Sequence, residues 1–137
     1  MRTLKLNNGL TIPAIGFGTY KTGFSEVILL AIEAGYRYFD TASFYGTEGL
    51  IAEAISQSGM KRENFIIASK LWKADMGYKS TLEAFSRSLE ALKTDYIDVY
   101  MIHWPRPDFT LKDWKALDLE TWQAMEELCS QGKIKAL

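Results

Sequence analysis

Phe65-Ile66-Ile67-Ala68-Ser69-Lys70 sets the reading of the whole chain: a short apolar run, rich in β-branched and aromatic residues, that stops at a charged one. Such a run suits a strand over Phe65–Ser69 better than a helix. Downstream, an amphipathic helical pattern covers Ser80–Leu92, and a second strand-like run, Ile97–Ile102, stops at His103. Upstream the same alternation holds, with strands expected at Ala14–Phe17 and Arg37–Phe39 and helices at Ser25–Ala34 and Glu48–Ser56. A further helix is expected over Leu119–Ser130, followed by Lys133-Ile134-Lys135-Ala136-Leu137, which reads as the start of a fifth strand. Gly35, Gly59 and Gly132 follow three of these helices, and a left-handed residue is expected at Gly132.

Strands alternating with helices imply a parallel α/β sheet, because parallel neighbours need crossover connections. Ahead of the first repeat, Thr3-Leu4-Lys5-Leu6 and Leu10-Thr11-Ile12 flank Asn7-Asn8-Gly9. Asn and Gly tolerate positive φ, so this segment predicts a hairpin. No Gly/Ser-rich linker or low-complexity tract divides the chain, which reads as one domain, or part of one, over residues 1–137.

Composition narrows the function classes. The chain has 137 residues, 47% hydrophobic and 24% charged, as in an ordinary globular protein with a real core. Sixteen Lys and Arg against 17 Asp and Glu give a formal charge of −1, which attracts neither nucleic acid nor an anionic membrane. The sequence shows no positively charged leader ahead of an apolar core and no apolar run long enough to span a bilayer, so a cytoplasmic location is expected. The single cysteine, Cys129, cannot pair internally or build a zinc site alone, and no metal is expected.

In parallel α/β folds, catalytic groups gather at the carboxyl ends of the strands. Here the second strand ends in Asp40, the third in Lys70 and the fourth in His103, with Tyr45 on the loop just after Asp40. Each has a plain alternative. Asp40 can cap a turn with Thr41, Tyr45 can plug the space beside Gly46, Lys70 can be solvated, and His103 can be a packed core residue. Their joint placement points instead to an acid. A free tyrosine holds its proton up to about pH 10, and a lysine ammonium beside it favours the phenolate. Asp40 would keep the ammonium charged and oriented, and His103 would donate to a carbonyl oxygen on which charge develops. That arrangement suits hydride transfer to an aldehyde or ketone, with Tyr45 protonating the alkoxide.

The chain resembles the aldo-keto reductase family in Gly35-Tyr36-Arg37-Tyr38-Phe39-Asp40-Thr41-Ala42 with Tyr45-Gly46, in Ser69-Lys70-Leu71-Trp72, and in Asp95-Tyr96-Ile97-Asp98 leading to Ile102-His103-Trp104-Pro105. The Leu10–Gly18 opening and Gly132-Lys133-Ile134-Lys135 look familial too. The resemblance implies a (β/α)8 TIM barrel closed at its bottom by an N-terminal β-hairpin, of which this sequence is the N-terminal half: the hairpin and about four βα units. It implies an NADPH-dependent oxidoreductase that reduces a small-molecule aldehyde or ketone, with Asp40, Tyr45, Lys70 and His103 as the tetrad and Tyr45 as general acid. Gly18, Thr19 and Tyr20, with Asp40, would lie near the nicotinamide, and Trp72 and Trp104 would line the substrate pocket.

A full eight-unit barrel takes roughly 250 residues. The family's Ser-Asn pair after strand five, its aromatic that stacks on nicotinamide and its basic loop for the 2′-phosphate have no counterpart in this sequence. Gly16-Phe17-Gly18 is no substitute, lacking the third glycine and helix start of a dinucleotide fingerprint. A half barrel would also leave strand edges unpaired and inward apolar residues without an opposite wall. Those edges carry the expectation of association into a homodimer, and the absent cofactor loops carry an alternative in which the chain is a catalytically inactive half-barrel that self-associates.

Overall fold

A computed structural model describes residues 2–105 and 110–137. Strands β1 (Thr3–Lys5) and β2 (Thr11–Pro13) form the expected hairpin, pairing Leu4 with Ile12. Its ladder runs on through Ala14 N–H, which donates to the Arg2 carbonyl at 2.9 Å. Five strands then build one parallel sheet in sequence order: β3 (Phe17–Gly18), β4 (Tyr38–Asp40), β5 (Ile66–Leu71), β6 (Ile97–Ile102) and β7 (Ile134–Ala136). Helices α1 (Ser25–Glu33), α2 (Glu48–Ser58), α3 (Tyr78–Leu92) and α4 (Trp114–Ser130) supply the crossovers.

The first sheet strand differs from expectation. The sequence predicts a strand over Ala14–Phe17, whereas Ala14 belongs to the hairpin ladder and the sheet starts at Phe17. Gly16 lies between them because a Cβ there would sit 2.8 Å from the Tyr38 ring, so only glycine allows the strand to approach β4. Helix α4 begins five residues before the predicted Leu119, since a run of Trp114, Leu117 and Asp118 half-buries its first turns. Lys70 lies inside β5, one residue before its end, rather than after it.

Alternation along the strands separates two faces. Phe39, Ile67, Leu71 and Ile97 are fully buried, packed with Ile28 of α1 and Phe85 of α3 in one apolar cluster. Asp40 and Lys70 stand one residue away from Phe39 and Leu71 and so project to the opposite face, away from the helices. At the other end of the sheet, Asp98 is buried and accepts from Arg62 Nη2 at 2.7 Å and from the Ile67 N–H at 2.9 Å. The hairpin is tied to the last strand by Asn8 Nδ2, which donates to the Lys135 carbonyl at 2.7 Å. No helix among the described residues is long and apolar enough to cross a membrane.

Candidate active site

The four proton-active residues expected at the strand ends meet there. Asp40 is the last residue of β4, and Lys70 stands two strand positions further along on neighbouring β5, where β4 pairs Asp40 with Ala68. Lys70 Nζ therefore reaches across to Asp40 Oδ1 at 2.6 Å and donates also to the Thr41 carbonyl at 2.9 Å. Its third neighbour is the Tyr45 hydroxyl at 3.5 Å. Tyr45 is delivered by a single 3-10 turn, Ser43–Tyr45, closed by Gly46 in the left-handed region at φ 67°. A side chain at that φ costs strain, so Gly46 lets the chain turn sharply into α2 directly behind the tyrosine. Ser43 anchors the same turn by donating to the Lys70 carbonyl at 3.1 Å.

His103 follows β6, its backbone N–H donating to the Leu71 carbonyl at 3.0 Å. Its ring stands edge-on to Tyr45 with centroids 5.4 Å apart, and edge-on to Trp72 at 5.2 Å. Burial lowers the affinity of this imidazole for a proton, the Lys70 ammonium lowers it further, and Asp40 opposes both. His103 is therefore neutral at pH 7. Its Nδ1 is buried without a hydrogen-bond partner among the described residues. A neutral ring that keeps its proton on Nε2 avoids burying an orphaned N–H donor at Nδ1.

Tyr45 and His103 face a cavity of about 240 Å³, lined also by Tyr20, Phe44, Trp72 and Trp104. Trp72 and Trp104 both line this cavity, 6.3 Å apart between centroids. Phe44 was not foreseen; its ring stacks on Trp72 at 3.9 Å and makes one wall of the cavity. The only sign of it in the sequence is a large apolar ring next to Tyr45. Of the expected cofactor trio, Gly18 is exposed with open space beside its Cα, and Tyr20 is exposed and packs on Tyr45 at 4.9 Å. Thr19 faces inward: it is fully buried and its hydroxyl bonds to the Asp40 carbonyl and to Thr47.

Behind this site α2 begins with Glu48, a buried carboxyl that accepts from Ser69 Oγ at 2.6 Å. Burial raises its pKa above the ordinary glutamate value, with the Ser69 hydrogen bond opposing. The folded state thus prefers the neutral acid. Below the ordinary value both folded and unfolded chains are protonated and nothing is lost. Above it the unfolded chain ionises first, and stability falls as pH rises through the folded value. Glu48→Gln, which keeps an acceptor for Ser69, should raise the urea midpoint at pH 7 and leave it nearly unchanged near pH ~4. An equal shift at both pH values would show that ionisation of Glu48 is not its cause.

The sequence profile of the Aldo/keto reductase family matches residues 14–137. The chain belongs to that family. It is 43% identical to glyoxal reductase of Bacillus subtilis over 98% of this chain and 48% of that protein. It is 38% identical to morphine 6-dehydrogenase of Pseudomonas putida, covering 44% of it. Among solved structures, an aldo/keto reductase from Brucella melitensis superposes with a TM-score of 0.89 at 42% identity, over 98% of this chain and 51% of that one. The Bombyx mori aldo-keto reductase in complex with NADP superposes at 0.83 with 32% identity and 48% of its length covered. This aldo-keto reductase chain spans about half the length of the curated relatives it matches. Its five parallel strands, hairpin and helices form the N-terminal half of the family's barrel.

Proposed function

We propose that this chain carries the proton-donating half of a carbonyl reductase site: NADPH-dependent reduction of a small aldehyde or ketone to an alcohol, with Tyr45 as general acid. The observation that carries the reading is the tetrad, with Tyr45 Oη 3.5 Å from a Lys70 ammonium that is itself 2.6 Å from Asp40, and with the His103 ring edge-on to Tyr45 at 5.4 Å. NADPH, when bound, supplies the hydride. The chain's own residues do the rest. The aromatic cavity takes the carbonyl compound out of water, and the His103 Nε2 proton is offered to the carbonyl oxygen, where charge develops. Tyr45 gives its proton to that oxygen, and the Lys70 ammonium stabilises the phenolate left behind. Asp40 holds the ammonium in place.

The nicotinamide end of NADPH fits what is present. Gly18 leaves space at the end of β3, and, two residues on, Tyr20 presents an exposed ring that packs on Tyr45. Asp40 and Lys70 lie directly beside that space, because Gly18 pairs with Asp40 in the sheet. Glyoxal, for which the 43% identical Bacillus subtilis relative is named, is a suitable first substrate to try. A cytoplasmic, single-domain assignment for residues 1–137 is part of this reading.

A second reading rests on the outer strands. Among the described residues β3 pairs only with β4 and β7 only with β6, and α4 exposes Leu119 and Trp122. On this reading the chain self-associates through those edges as a homodimer and does not turn over. NADPH titration by fluorescence, read beside light scattering and glyoxal-dependent NADPH oxidation, separates the two. Saturable binding with turnover supports the reductase. No binding up to millimolar NADPH, with a dimeric mass, supports the second reading and overturns the first.

A further inference from the structure

Three threonine hydroxyls form a closed line beneath the tetrad. Thr19 Oγ1 lies 2.8 Å from Thr47 Oγ1, which lies 2.9 Å from Thr41 Oγ1. Thr19 and Thr41 are fully buried and Thr47 is 3% exposed, so water does not share these bonds. Each hydroxyl has one proton to give. Thr19 Oγ1 sits 3.0 Å from the Asp40 carbonyl, which can only accept, so the Thr19 proton is committed there. Thr47 must then donate to Thr19, and Thr41 to Thr47. The line has one direction, Thr41 to Thr47 to Thr19 to the Asp40 carbonyl, and leaves no proton unplaced.

Its members are placed where the chemistry is. Thr19 stands between Gly18 and Tyr20 at the end of β3, and Thr41 follows Asp40 while its own carbonyl accepts from Lys70 Nζ. Thr41 and Thr47 bracket the turn that carries Tyr45. Without their 2.9 Å bond, that turn is held by the Tyr45 N–H to Ala42 carbonyl bond, the Ser43 hydroxyl on the Lys70 carbonyl and the backbone of Gly46, none of which ties it to the end of β3. A second observation concerns α2. Thr47 occupies its N-cap, where a threonine oxygen ordinarily accepts from the first turn's N–H groups, yet it makes no side-chain cap bond. Its hydroxyl is turned from helix stabilisation to the line beneath the site.

We propose that Thr47 is a positioning residue: by joining Thr19 and Thr41 it holds the Tyr45 turn in register with the ends of β3 and β4, and so sets the Tyr45 hydroxyl against Lys70. This rests on Tyr45 being the acid, as in the reading above. Thr47→Val keeps the shape and removes the hydroxyl; Thr47→Ser keeps the hydroxyl. In the full chain, with NADPH and glyoxal, Thr47→Val is expected to lower kcat by about tenfold or more, the scale of a misplaced catalytic group. KM for NADPH should stay near its original value, and Thr47→Ser should restore kcat. Equal kcat in the original chain and in Thr47→Val overturns the proposal. So does a loss that disappears once rates are divided by folded fraction, or one that Thr47→Ser shares.

A second measurement does not depend on turnover. With ¹³C-labelled tyrosine, the Tyr45 ring signal, assigned by its absence in Tyr45→Phe, should shift or broaden in Thr47→Val and not in Thr47→Ser. An unmoved signal in Thr47→Val overturns the positioning role. If the original chain oxidises no NADPH while the signal moves as expected, it is the reductase reading that fails, and the hydroxyl line still holds the turn.

Discussion

Replacing Tyr45 by phenylalanine is expected to leave NADPH affinity nearly intact and to cut carbonyl reduction by a factor on the order of 10² to 10⁴, the range of a general acid. The substitution removes one oxygen. The ring remains to pack on Tyr20 at 4.9 Å and on His103 at 5.4 Å, so the cavity keeps its wall. Asp40 and Lys70 keep their 2.6 Å pair, and the exposed surface of Gly18 and Tyr20 is untouched. Only the proton path is lost. Steady-state kinetics beside a fluorescence titration of the same preparation read both halves of the statement. Normal turnover in Tyr45→Phe would place the acid elsewhere, whereas a parallel loss of NADPH affinity would show that the hydroxyl serves binding.

The second large effect is on stability. Asp98→Ala should cost about 3–5 kcal/mol of unfolding free energy, the range for breaking a buried ion pair from one side. The Arg62 side chain is 15% exposed and that of Asp98 7%, at 2.7 Å. Removing the carboxylate leaves a guanidinium desolvated and orphans the Ile67 N–H, which Asp98 accepts at the start of β5. Some compensation remains, because Arg62 also donates to the Phe65 carbonyl and lies over the Tyr96 ring at 4.4 Å. Urea unfolding of the two proteins measures the difference. A loss of under about 1 kcal/mol, the range of exposed pairs, would show that Arg62 swings out to water once its partner is gone.

Much of this protein was legible before any coordinates. The apolar runs that end at Asp40, Lys70 and His103 marked the strands and the end of the sheet at which these three residues gather, because a parallel strand buried on its helix side must be apolar until it emerges at its carboxyl end. Asn7-Asn8-Gly9 marked the hairpin and Gly132 the left-handed end of α4, where φ is 73°. Other features gave no sign. Lys93 ends α3 in the left-handed region at φ 50° with no glycine to announce it. Gly16 resembles part of a phosphate-binding fingerprint, yet it is glycine because the Tyr38 ring occupies the place of its side chain.

The sequence by itself determined the parallel alternation of strands and helices and placed Asp40, Lys70 and His103 at the strand ends, since each depends on local pattern: period, punctuation and which residue follows which strand; the family and the half-barrel were legible in its motifs. Tertiary structure alone decided which way Thr19 faces, that Phe44 stacks on Trp72, and that Thr41, Thr47 and Thr19 share one line of protons. Those facts depend on contacts between residues from 6 to 28 positions apart, brought together when neighbouring strand ends and the turn between them pack. A threonine has the same sequence signature whether it caps a helix or holds a catalytic turn. Only the position of its acceptor tells the two apart.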